Sequence, residues 1–81
     1  MMMYRYIPYE EQGLARKPYA YGLLRQKRQG DRWTTVAIVA PFSNDKTGVQ
    51  QLAERCTECQ LDPIHLLDVL HDFIDAETGT L

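Results

Sequence analysis

The chain is predicted to form an α+β domain, with a three-stranded antiparallel sheet followed by an αα-hairpin packed on one of its faces. Three observations carry that expectation. Up to residue 40 the β-forming residues come in short runs separated by Gly13, Pro18 and Gly30. After Pro41 the apolar residues recur at spacings of three and four, the helical period. At 81 residues with a quarter of them charged, the chain has the size and composition of one globular domain spanning 1–81, not of a disordered segment.

Residues 2–9 are rich in tyrosine and form the first expected strand, with Pro8 marking an edge or an end. Glu10 to Lys17 is polar, contains Gly13 and reads as a loop. Pro18 to Arg28 alternates, with Tyr19, Tyr21 and Leu23 on one side and Ala20, Gly22 and Leu24 on the other. Gln29-Gly30-Asp31 supplies a hairpin turn, since Gly30 takes positive φ without strain. Trp33 to Ala40 is apolar on both sides and is therefore the expected central strand.

Pro41 is expected to end that strand. Ser43, Asn44 and Asp45 then offer three possible N-caps, but Lys46 stands where a capping box needs Glu or Gln. Gly48 weakens the first helical turn further. Val49, Leu52, Ala53 and Cys56 make a narrow apolar stripe on this first helix. Gln60 to Asp62 is a tight corner, and Asp62-Pro63 starts the second helix with an acceptor followed by a residue that needs no N–H partner. Residues 77–81 are expected to fray.

The second helix is the expected hub. His65, Asp68, Asp72 and Asp75 form one solvated stripe, while Ile64, Leu66, Leu67, Val69, Leu70, Phe73 and Ile74 are all apolar. An ordinary surface helix needs an apolar arc of about 100°. This one is wider, so it is expected to meet both its own sheet and something else, through Leu66, Val69, Leu70 and Phe73.

These residues resemble a family of small bacterial proteins known only as a domain of unknown function. The resemblance rests on Tyr19-Ala-Tyr-Gly22-Leu23, then Ser43, Val49, Leu52, Cys56 and Leu61, and above all on Pro63-Ile-His-Leu66, Asp68-Val69 and Asp72-Phe73. It implies a cytoplasmic bacterial protein and transfers no catalytic residue. This chain departs from the family at Thr47 and Gly48, where Glu or Lys is expected, and at Cys59, where the family has an apolar residue.

Charge divides the chain. Residues 1–40 carry seven basic and three acidic side chains; residues 41–81 carry two basic and eight acidic. A basic, β-rich half therefore precedes an acidic, helical one. Met1-Met2-Met3 is followed by Tyr4, Arg5 and Tyr6, with no apolar run long enough for a leader or a membrane span. With two cysteines as well, the expectation is a cytoplasmic protein with reduced thiols and no membrane contact.

Several chemistries are weighed and set aside. Cys56-Thr-Glu-Cys59 is a CxxC at a helix C-terminus, where the dipole and Glu54 and Glu58 oppose a thiolate. Cys56, Cys59, His65 and His71 are zinc-ligand types, but His65 and His71 point to different sides of one helix. No metal or other cofactor is expected. Asp45-Lys-Thr-Gly48 lacks the glycines of a phosphate loop, and no serine elbow is present, so an enzyme is not expected.

Two binding readings remain. The first is a non-catalytic interaction or regulatory module, a homodimer or the docker of a larger protein partner, acting through the second helix. The second is single-stranded nucleic-acid binding by stacking rings beside cations: Tyr19, Tyr21, Arg25, Lys27, Arg28 and Trp33. The negative net charge weighs against the second.

Overall fold

A computed structural model describes residues 3–11 and 18–77. Strands β1 (Tyr4–Glu10), β2 (Tyr21–Gln29) and β3 (Arg32–Ser43) form one antiparallel sheet in the order β1-β2-β3. Helix α1 (Lys46–Glu58) follows, then a 3₁₀ turn (Pro63–His65) and helix α2 (Leu66–Glu77). The α+β class and the β-β-β-α-α order are those read from the sequence. The loop expected at Glu10–Lys17 and the frayed tail fall mostly outside the described residues.

Strand order differs from expectation. The central strand is β2, and the apolar run Trp33–Ala40 lies in β3, at the edge. Its uncharged character reflects β propensity and an uncovered face, not burial on both sides: Val36 is 46% exposed and Ile38 68%. Edge position also explains why Pro41 does not end the strand, which runs on to Ser43. A proline lacks the N–H that a central strand would need, but an edge strand tolerates it. Between β2 and β3 a two-residue loop, Gly30-Asp31, turns the chain, with Gly30 at φ 65°.

Each candidate cap for α1 has a different task. Asp45 Oδ1 accepts from the Gly48 N–H at 3.0 Å and is the N-cap. Buried Ser43 accepts from the Asp45 N–H, holding the cap in place. Asn44 reaches back to Pro18 and Ala20 and ties the β1–β2 connection to the start of the helix. A Cβ at Gly48 would strike the Asp45 carboxylate, so glycine there lets the cap close.

The far end of α1 closes as a Schellman turn. Leu61 N–H donates to Cys56 O and Gln60 N–H to Thr57 O, with Gln60 in the left-handed region at φ 49°. Asp62 then accepts from Ile64 N–H and caps the 3₁₀ turn, as its place before Pro63 predicts.

The core centres on α1, not on α2 as expected. Val49, Leu52, Ala53 and Cys56 are all within 3% of full burial, and they pack with Tyr6 and Leu23. Helix α2 contributes Leu66 and Leu70, with Val69 and Phe73 half-buried beside them. The narrow stripe of α1 is wholly used because that helix lies along β1 and β2. The broad arc of α2 is only partly used.

Candidate interaction site

Helix phase divides the α2 arc into three parts. Leu66 and Leu70 face the core at 9% and 6% exposure. On one flank, Val69 and Phe73 line a groove of about 430 Å³ against Leu52, Cys56, Cys59 and Leu61, with Arg55 and Asp72 also in its walls. Near the start of the helix, Ile64 in the 3₁₀ turn and Leu67 are bare, at 76% and 69% exposure. The expected interaction set is thus divided: Leu66 and Leu70 hold the fold, while Val69 and Phe73 stay partly accessible. Ile64 and Leu67 belonged to the apolar arc but not to that set. Only the tertiary fold tells which flank of a wide arc faces inward.

The two sheet edges are treated differently. On the free side of β1, Gln60 Oε1 accepts from Tyr4 N–H at 2.9 Å and its Nε2 donates to Tyr4 O at 2.8 Å. Thr57 Oγ1 accepts from Tyr6 N–H at 2.8 Å and donates to either Tyr6 O or Ala53 O. These two side chains act as a substitute strand and cap the edge. No local signal announces them, because their partners lie more than 50 residues away in the chain. Among the described residues, no side chain does the same for the outer edge of β3 between Trp33 and Phe42.

Register separates the residues expected to hold nucleic acid. Tyr21, Arg25 and Lys27 share the helix-covered side of β2 with Leu23, opposite Glu10, Tyr6 and Tyr4 of β1. Arg25 stacks on the Tyr4 ring at 3.8 Å and donates to the Tyr6 hydroxyl at 3.2 Å. Arg28 and Trp33 pair with each other and fall on the opposite, uncovered face. Tyr19 precedes β2 and is exposed. On the uncovered face Arg5 lies over the Trp33 ring at 4.2 Å and donates to Gln26, which in turn donates to Thr35. An apolar row, Ile7, Leu24 and Ile38, crosses the same face.

Cys56 and Cys59 are free thiols, the first buried and the second exposed. Burial pushes the Cys56 thiol up, with Cys59 adding to the shift and Arg55 opposing it. The Tyr6 hydroxyl is raised as well: burial outweighs the lowering effect of Arg25. His65 and His71 are exposed. Among the described residues, no three His, Cys, Asp or Glu side chains come together as a metal site, so Cys56, Cys59, His65 and His71 do not converge.

A family model matches the chain over residues 2–76. The chain belongs to DUF6514, a family of unknown function. No curated protein and no solved structure matches this DUF6514 chain. Among the described residues of this member, no helix is long and apolar enough to cross a membrane.

Proposed function

We propose that this protein is a non-catalytic interaction module that self-associates, with α2 as its docking element. The observation that carries the reading is the bare apolar surface at the start of α2. Ile64 and Leu67 are two large aliphatic side chains, each about seven-tenths exposed, and the same helix leaves a half-filled groove at Val69 and Phe73 on its other flank. Fully burying a side chain of this size contributes about 1.5–3 kcal/mol. The non-catalytic part is supported at Cys56, a buried thiol. A raised Cys56 thiol stays protonated at neutral pH and packs as a small hydrophobe.

Sedimentation equilibrium from low to high micromolar concentration tests the reading. The expected result is a dimer that Leu67→Asp dissociates without loss of helical circular dichroism. A wild-type chain that stays monomeric at high micromolar concentration refutes it.

Single-strand binding stands as a second reading because of one arrangement, the Arg5–Trp33 stack with Arg28 on the uncovered sheet face. Fluorescence anisotropy with short single strands is the test. An affinity left unchanged by Trp33→Ala and Arg28→Ala ends that reading.

A further inference from the structure

We infer that the self-association seam is the outer edge of β3, paired antiparallel with β3 of a second copy, so that two sheets become one of six strands. The inference rests on the self-association proposed above and goes beyond it by naming the contact. Four observations support it.

First, among the described residues the sheet has one capped edge and one open edge. Thr57 and Gln60 occupy the β1 side at Tyr4 and Tyr6, while β3 offers Trp33 to Phe42, about 30 Å of strand, on the other. A single open edge pairing with its own copy about a two-fold axis leaves none over, giving a closed dimer and not a fibre.

Second, Trp33 to Ser43 carries no charged residue. Soluble proteins ordinarily protect an exposed edge with lysine or another charge. Here the protection is conformational: two register shifts, at Val36 and between Val39 and Ser43, and Pro41. An uncharged strand meets its own antiparallel copy without like charges opposed. Third, each end of the strand is charge-balanced, with Asp31 before Arg32 and Lys46 after Asp45, so antiparallel alignment sets no net like charge against itself.

Fourth, α2 meets the end of the same strand through Phe73. Helix α1 runs along β1, with Thr57 at Tyr6 and Gln60 at Tyr4. Helix α2 lies beside it on the β3 side, where the Phe73 ring meets Phe42 edge-on at 5.7 Å. Val69 faces α1 across the groove, and helical spacing puts Leu67 and half-buried Ile74 on the opposite flank, away from α1. Pairing the β3 edges brings the two Leu67–Ile74 flanks together over the seam. One two-fold contact then covers the open edge and the unfilled arc at once.

Amide exchange by NMR at two concentrations, with sedimentation equilibrium of the wild type, Ile38→Lys and Leu67→Asp, tests the seam. In the dimer, alternate amides within Trp33–Ala40 are expected to exchange at least tenfold more slowly than in the diluted monomer. Ile38 is exposed, so a lysine there leaves the core intact but faces its own copy across the seam; it is expected to weaken the dimer at least tenfold. A monomeric wild type overturns both this seam and the docking role of α2. A dimer whose β3 amides exchange at the monomer rate, and which Leu67→Asp but not Ile38→Lys dissociates, overturns the seam and leaves α2 as the docking element.

Discussion

Gln60 joins two demands that conflict at one residue. Its φ of 49° is a conformation that favours glycine, yet its side chain makes three hydrogen bonds, two to Tyr4 and one to Thr57 O. A left-handed backbone strains a non-glycine residue by about 1 kcal/mol, and each hydrogen bond contributes about 0.5–1.5 kcal/mol net. The bonds outweigh the strain, so glutamine is retained where a helix end usually has glycine. Gln60→Ala keeps the strain and loses the bonds; urea denaturation is expected to show a loss of about 1–3 kcal/mol. Gln60→Gly loses the same bonds but relaxes the backbone, and is expected to be less damaging than alanine by about 1 kcal/mol. Equal losses for the two variants would mean that the turn is not strained.

Two further residues set an alkaline limit. Cys56 and Tyr6 both release their protons less readily when folded, chiefly because burial disfavours the charged form. Above the ordinary values of 9.0 for the thiol and 10.0 for the phenol, the unfolded chain has already lost these protons while the folded one keeps them. Stability is therefore full below pH 9 and falls as pH rises through the raised folded values. Cys56→Ala is expected to lower stability at pH 7 by opening a small cavity, and to flatten the decline that begins near pH 9. A pH–stability curve with the same alkaline slope in this variant would remove Cys56 from the explanation.

At the scale of elements, the closure of the β1 edge by the end of α1 joins the helical half to the sheet. Thr57→Val keeps the shape and removes the hydroxyl that serves both sides of Tyr6. A loss of about 1–3 kcal/mol is expected, because a backbone N–H is left without its partner. Faster amide exchange at Tyr6 than at Leu23 is the local signature to measure.

The elements themselves were largely legible. Gly30, Asp45 and the Asp62-Pro63 pair mark their turns and caps through local chemistry, and the period change near Pro41 separates sheet from helices. Strand order was not legible from Trp33–Ala40, since an uncharged run has the same composition whether it is buried on two faces or waiting for a partner. Nor was the apportioning of the α2 arc, where Leu66 and Leu67 are neighbours of one chemical type that the fold sends to opposite fates. The edge caps at Thr57 and Gln60 were invisible, because nothing about a threonine or a glutamine near a helix end names a strand fifty residues earlier.

At the scale of the whole molecule, a chain of 81 residues has a thin margin. Among the described residues, eight buried hydrophobic side chains form its core, and the most exposed large ones, Ile38, Ile64 and Leu67, lie on β3, in the 3₁₀ turn and on α2. Association that covers them binds the folded state alone, so melting temperature is expected to rise with protein concentration. Salt separates the two binding readings. The seam between Trp33 and Ser43 is uncharged. Salt has no charge pair there to screen, so the dimer constant should change little as salt is raised. Binding of single strands through Arg5 and Arg28 would instead release counterions and weaken steeply over the same range. A melting temperature independent of concentration, together with single-strand affinity falling as salt rises, would move the function from the β3 edge to the uncovered face of the sheet.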